Sequence, residues 1–526
     1  ENNDYVIDYR TGEIFFQTRR PVTAQSRITV DFELADRRYS RSFFALNHTI
    51  PLFNDRVTLG VGFLREADNQ DAPIDLTIDD ADRQLLAAAG GDPLLAVQSG
   101  VRFVGRSDTT FGSYYRIDTT IDGAPDSIFI FSPTDPRAVF NVSFSIPSSG
   151  VGDYESVAFG EYRFVGKNAG RYQPVVFLPL PELRQVFGVN INARPAAGVK
   201  LAGEAAFSDG SLNRFSNLPS ASRQGSAFKG FLSILRDSVR IGGVAIGSIR
   251  ADASARYLKQ GFRSVERLGQ GEFGNQWNTS TRLGEGGSDD FVAEGNLVWQ
   301  PLRRLELGGS AGWLSRGGLF TSLRQQYSAL VRGDTTLPSA DYTAELIGTR
   351  DTTGGQTLSS WLRQRGGVSY AIGRLTPGVR FLAENRNDRN SMHGDSLLPA
   401  SFRSLEFGPE LRAELPFMSG TAAVRFRNED SARLDTASRQ HHFISDGTAE
   451  TWSLHGELRG VKNLNSTADF TYRTRRYNNI PGVPARLNSV TVLGRSQTRW
   501  SGFNRGVDLD ALYEVQTEQA ARLQYL

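Results

Sequence analysis

Residues 291–314, FVAEGNLVWQPLRRLELGGSAGWL, restrict the fold more than any other stretch. Read in steps of two, Phe291, Ala293, Gly295, Leu297 and Trp299 share one face, and Val292, Glu294, Asn296, Val298 and Gln300 share the other. A polar turn follows at 301–304, after which Leu305, Leu307, Gly309, Ala311 and Trp313 resume the apolar face. A period of two belongs to an extended strand, whose side chains alternate across its plane. Two such runs joined by a short turn predict a β-hairpin. Each arm has the roughly 9–11 residues of a tilted strand that crosses a bilayer. Trp299 ends one arm beside the turn and Trp313 ends the other at the far side. Indole rings settle where hydrocarbon meets water. The hairpin therefore reads as two strands of an outer-membrane barrel, apolar face to lipid and polar face to the lumen.

Composition agrees once alternation is allowed for. The chain has 526 residues, enough for several soluble domains or one large barrel. Mean hydropathy is −0.35, and no run approaches the roughly 18 apolar residues of a membrane helix. A barrel needs only every second residue apolar. The net charge of +2 gives no pull towards nucleic acid. Cysteine is absent, which excludes disulfides and thiolate metal sites. Residues 1–5 contain no signal peptide and residues 522–526 stop inside a strand-like pattern. The expectation is a mature or internal piece of something longer.

Taken in order, residues 1–26 read as a β-hairpin entry segment and 27–65 as the first barrel strands. The carrying stretches are YVIDYRTGEIFF and RITVDFELADRRYSRSFFALNHTIPLFNDRVTLGVGFLRE. Over residues 4–66 they resemble large outer-membrane barrels of Bacteroidetes-type bacteria, among them the translocon of the type IX secretion system (the SprA/Sov family). That resemblance implies a barrel in the outer membrane of a Gram-negative bacterium, with secretion or a surface assembly as its business. Residues 66–183 break the rhythm. A helix is expected at 79–89, where Asp caps precede strong helix formers. Strands are expected at 127–131, 138–146, 154–165 and 174–178. This makes a small, mostly β insertion that caps or enters the barrel mouth on the outer side.

From 184 to 526 the hairpins resume. Short turns are expected at 193–197, 237–238, 301–304, 373–377, 416–420, 460–465 and 502–505. Long polar connections are expected at 209–226, 258–289, 315–359, 387–400, 428–447 and 475–488. Short turns alternating with long loops are the habit of bacterial barrels, the long loops lying outside the cell, and give 16–18 strands. The alternation assigns Lys200, Glu204, Arg250, Asp252, Glu306, Glu410, Arg412, His455, Glu457, Arg459, Asp469, Arg473, Asp508 and Asp510 to the lumen. It assigns Trp299, Trp313, Trp361, Trp452 and Trp500 to strand ends, as an interfacial aromatic girdle.

Catalytic motifs find weak footing. Gly308-Gly309-Ser310-Ala311-Gly312 matches G-x-S-x-G, but a nucleophile elbow needs a strand–turn–helix context, and Ser310 lies mid-strand. His441 and His442 are neighbours on an extended chain and point apart. His455 sits beside Glu457 and Arg459, as in any lumenal polar network. Asp79, Asp80 and Asp82 read as a helix cap. LGQGEFG at 268–274 lacks the Gly-Lys-Ser/Thr ending of a phosphate loop. No catalytic residue, metal site or cofactor is expected. The expected partners are the lipid bilayer, a transported or secreted substrate of unstated chemistry, and envelope proteins. The rival readings are a barrel enzyme of lipase or protease type and a soluble β-rich adhesin.

Overall fold

The computed structural model describes residues 5–8, 13–16, 38–74, 77–107, 111–121, 123–147, 149–158, 160–264, 273–279, 287–352, 356–390, 396–435, 440–461, 463–480, 486–502 and 507–521. Nineteen strands make one closed antiparallel barrel. Ser396–Leu397 is a two-residue stub on the end of Leu375–Asn390, so eighteen long strands form the wall, within the expected range. The wall begins with Tyr39–Leu52 and Val57–Pro73, passes to Leu183–Ala196, and continues strand by strand to Val507–Ala521. That last strand closes against Tyr39–Leu52. Closure leaves no open edge, and hydrocarbon demands that, because it offers no hydrogen bonds to unpaired backbone.

The hairpin that organised the sequence stands in the wall as Asp290–Leu302 and Leu305–Arg316, with Leu297 opposite Gly309 and Trp299 opposite Leu307. Its apolar face is continuous with its neighbours. Leu297 lies beside Ala251, Phe207 beside Phe187 and diagonally against the Phe228 ring, Phe407 beside Phe381 and Phe426, and Leu454 beside Phe470. These residues are exposed: Leu297 is 51% accessible, Phe207 49% and Leu454 55%. A continuous apolar band of this kind marks a surface made for lipid. Replacing Leu297 by Arg should cost about 2–4 kcal/mol if it sits near the midplane, whereas Asn296→Arg on the opposite face should cost little. Denaturant titration of the barrel in lipid checks this, and equal costs would reverse the faces.

Three expectations fail. Residues 315–359 are not one long connection. They hold two wall strands, Phe320–Val331 and Ser339–Asp351. Thr321 and Gln325 on the outer face of the first blur the apolar rhythm. Residues 428–447 are mostly wall as well, since Met418–Asp435 and Gln440–Val461 span them. At about 3.3 Å per residue the second strand is about 70 Å long, far more than a tilted crossing of the roughly 30 Å hydrocarbon core. Its outer part stands in water, where alternation need not be apolar. The turn expected at 237–238 lies instead at Gly242 and Gly243, whose φ values of 57° and 85° suit glycine. Asp237 and Ser238 occupy a bulge between Arg236 and Val239; a polar pair reads alike in either setting. The strand expected at 27–34 lies outside the described residues.

Between Val57–Pro73 and Leu183–Ala196 the chain leaves the wall. The helix is Asp80–Ala89, with Asp79 and Asp82 forming a reciprocal capping box. A four-stranded sheet joins Val101–Phe103, Phe140–Val142, Tyr114–Ile121 and Ala124–Phe131. The strand expected at 154–165 is a hairpin, Tyr154–Ala158 with Glu161–Phe164. Aromatic rings fill this unit. Phe144 stacks on Tyr162 with centroids 4.5 Å apart and lies 4.8 Å from Tyr154. Tyr114 is buried, donates to Gly160 O at 2.8 Å, and burial pushes its phenol up to about 12.

The unit is tied to the barrel rim. Asp68 and Glu182 exchange backbone and side-chain bonds, both at 2.9 Å. Leu86, Ala89, Ala96 and Leu178 form a small core against Phe215, which lies in the connection 212–221.

Candidate functional site in the barrel lumen

The polar face of the wall is laced by ion pairs within and across its strands. Arg41 meets Asp68 at 2.6 Å and Glu66 at 3.0 Å. Arg332 meets Glu306 at 2.7 Å, Arg380 meets Asp341 at 3.1 Å and Arg425 meets Glu410 at 2.7 Å. Arg427 lies 2.5 Å from Glu429, which also holds Arg475 at 2.6 Å. The Arg41, Arg332 and Arg425 pairs join adjacent strands, Arg427 and Glu429 share one strand, and Arg380 and Arg475 each reach across one intervening strand.

Strand register carries Lys200, Glu204, Arg250, Asp252, Glu306, Glu410, Arg412, His455, Glu457, Asp469 and Arg473 on this face, opposite in parity to the exposed apolar rows. Glu204 stands opposite Lys229. His455 Nδ1 and Asp469 Oδ1 are 2.7 Å apart. Thr421 faces His455 across the ladder, and Ser419 bonds Glu457 instead. The side chains of Arg459, Asp508 and Asp510 lie outside the described residues. His441 and His442 open a wall strand, opposite Leu434 and Arg433, and so do not form part of a long loop.

The aromatic girdle divides. Trp299 and Trp313 are exposed on the lipid face, and the Trp299 indole donates to Ile246 O at 2.8 Å beside the turn. Trp452 is exposed on the same face and donates to Glu450 at 2.6 Å. Trp500 stands between Leu464 and Leu509 on the lipid-facing row. Trp361 does not belong with them. It lies on the lumenal row with Ile347 and is 1% accessible. Arg363 sits 4.2 Å from its ring and Arg386 5.2 Å; two guanidinium planes make an indole at home in a polar lumen. The parity was legible, because Trp361 shares its face with Arg363 and Arg365, but its place near a strand end suggested the girdle.

Nothing in the local pattern marks the segment 273–279. Expected as part of an outer loop, it folds back onto the lumenal face. Its short helix, Phe273–Gln276, leads into Trp277, which is 1% accessible and packs with Val292, Leu314 and Phe320. Ser322 Oγ donates to Trp277 O at 2.8 Å, and Asn278 Nδ2 donates to Ser359 Oγ at 2.8 Å. Phe273 lies between Arg256 and Arg316, 5.7 and 5.1 Å from their guanidinium carbons. Arg316 in turn holds buried Asp290 at 2.7 Å. Gly312 makes the space: a Cβ there would come within 2.7 Å of the Trp277 ring. The segment is thus fastened to the wall from Asp290–Leu302 round to Thr357–Ser369, and it occupies part of the lumen's cross-section.

A closed wall with an apolar exterior and a charged interior is a transmembrane β-barrel of the Gram-negative outer-membrane class. A family model described as a domain of unknown function (DUF8818) matches residues 1–36. No curated protein matches the chain. Among solved structures the chain is similar to the alcaligin outer-membrane receptor FauA of Bordetella pertussis, at 10% identity and a TM-score of 0.35, covering 91% of this chain and 74% of that one. It is similar to the copper transporter OprC, at 9% identity and a TM-score of 0.34, covering 94% and 75%. It is also similar to OccAB3 of Acinetobacter baumannii, at 10% identity and a TM-score of 0.29, covering 61% and 92%.

Proposed function

We propose that this barrel is a channel for small solutes, with its long connections outside the cell and the segment 273–279 setting the width of the lumen. The observation that carries the reading is the fastening of Trp277 to the inner wall. An eighteen-strand barrel leaves an aqueous passage unless something fills it, and here a short segment is built against the wall. Secretion of polypeptide, which the resemblance of residues 4–66 implied, is the finer alternative; a fastened narrowing favours small solutes over a folded chain. We assign no reaction. A second reading, anchorage of a surface assembly, draws on the rim unit 74–182, where Leu95, Phe103 and Phe111 are exposed.

The test is reconstitution of purified barrel into planar bilayers. Discrete single-channel steps are the expected result. A heat-modifiable, correctly closed barrel that gives no conductance would sink the channel and leave the anchor.

A further inference from the structure

We propose an oxyanion-binding subsite on the lumenal wall at Arg473, flanked by Arg427 and Arg475, that takes a carboxylate or phosphate group. As a statement about what the channel carries, it rests on the channel reading; as a binding site it does not.

Arg425, Thr451, Arg473 and Thr491 lie in one row across four adjacent strands, and Arg427, Ala449 and Arg475 lie in the next row. Alternate strands are about 10 Å apart and same-face neighbours about 7 Å, so four guanidiniums share one small area of wall. Three carboxylates answer them. Glu410 holds Arg425, Glu429 holds both Arg427 and Arg475, and Glu406 reaches Arg427 at 3.6 Å. Arg473 is the remainder: among the described residues no carboxylate lies within ion-pair distance of it. The charges felt there come from Arg475, Glu429, Arg427 and Glu406, and those two carboxylates are already engaged.

Other lumenal cations, such as Lys200, Lys229, Arg250 and Arg412, also have no described ion pair, but they are exposed and solvated. Arg473 is half-buried. A half-buried guanidinium among other cations gains most from an added anion, and its planar fork matches the two oxygens of a carboxylate or phosphate. Thr451 and Thr491, on either side of it in the ladder, bring hydroxyls that can donate to further oxygens.

The test measures binding directly. Inorganic phosphate and, separately, acetate are titrated by calorimetry into the detergent-solubilised full chain at constant ionic strength, with chloride as the balancing anion. Binding to the native chain should weaken by about tenfold or more in Arg473→Gln, the loss expected of one charge-assisted contact. It should persist in Arg412→Gln, an exposed lumenal arginine outside the cluster. Heat-modifiable migration of each variant shows that the barrel is closed. Phosphate and acetate both binding, or phosphate alone, supports the subsite and tells which group it takes. No binding to the native chain, or equal binding in native and Arg473→Gln protein, overturns it. In bilayers the same anions should reduce chloride current through the native channel and not through Arg473→Gln. Anion binding by a barrel that conducts nothing would sink the channel and leave the subsite standing.

Discussion

Replacing Trp277 by alanine should release the inward segment and raise single-channel conductance, with the barrel still closed. The indole is almost wholly inaccessible and fills the hollow between Val292, Leu314 and Phe320. Truncating a buried Trp costs about 3–5 kcal/mol. The rest of the attachment cannot make this up, since the remaining described bonds are a few side-chain contacts worth about 1 kcal/mol each. The loss falls on the segment and spares the wall, whose ladder runs on either side of it. A second variant approaches from the wall. Gly312→Val places a side chain where the Trp277 ring now lies, and should expel the same segment. Both variants should also speed cleavage within the segment by added protease. Unchanged conductance in both, with cleavage accelerated, would mean that the segment does not set the width of the passage.

The contrast between wall and segment shows what a sequence of this kind can disclose. Alternation is a local signal, two residues deep, and it identified the hairpin at 291–314 without any knowledge of partners. It failed where the apolar beat is interrupted. Gln325 on the lipid face and Ser322 on the lumenal face made Phe320–Val331 read as loop. It failed again where strands rise out of the membrane, as in Gln440–Val461. The inward fold of 273–279 depends on a match between Trp277 and a gap at Gly312, 35 positions along the chain by their numbering. Nothing local marks that match, because a glycine on a lumenal row and a tryptophan in a polar connection each have many other uses. The arginine cluster is intermediate: the alternation assigned a face to Arg473 alone, Arg475 was expected in a connection, and the pairing that leaves Arg473 over required the register of four strands.

Removal of the Asn213 amide should detach the rim unit from the barrel while leaving the barrel closed. Asn213 is completely buried. Its Nδ2 donates to Leu86 O at 2.6 Å and to Gly90 O at 2.8 Å, and its Oδ1 accepts from the Phe215 backbone at 3.0 Å. Carbonyls at the end of a helix have no partner within it, so one side chain from the connection 212–221 satisfies the C-terminus of Asp80–Ala89. In Asn213→Ala those acceptors stay buried and unbonded, at about 1–3 kcal/mol for each group. The adjoining core is small, four buried residues, and has little with which to offset this. Helix and sheet should then separate from the rim in a fraction of molecules large enough to detect. Limited proteolysis should cut between 74 and 182 several-fold faster than in the native chain, while heat-modifiable migration of the remaining barrel is unchanged. Asp71→Ala removes only the exposed ion pair with Arg83 and should leave the cleavage rate as it was, because such pairs contribute little. Equal cleavage in native and Asn213→Ala chains would show that the backbone exchange between Asp68 and Glu182 holds the unit without the amide.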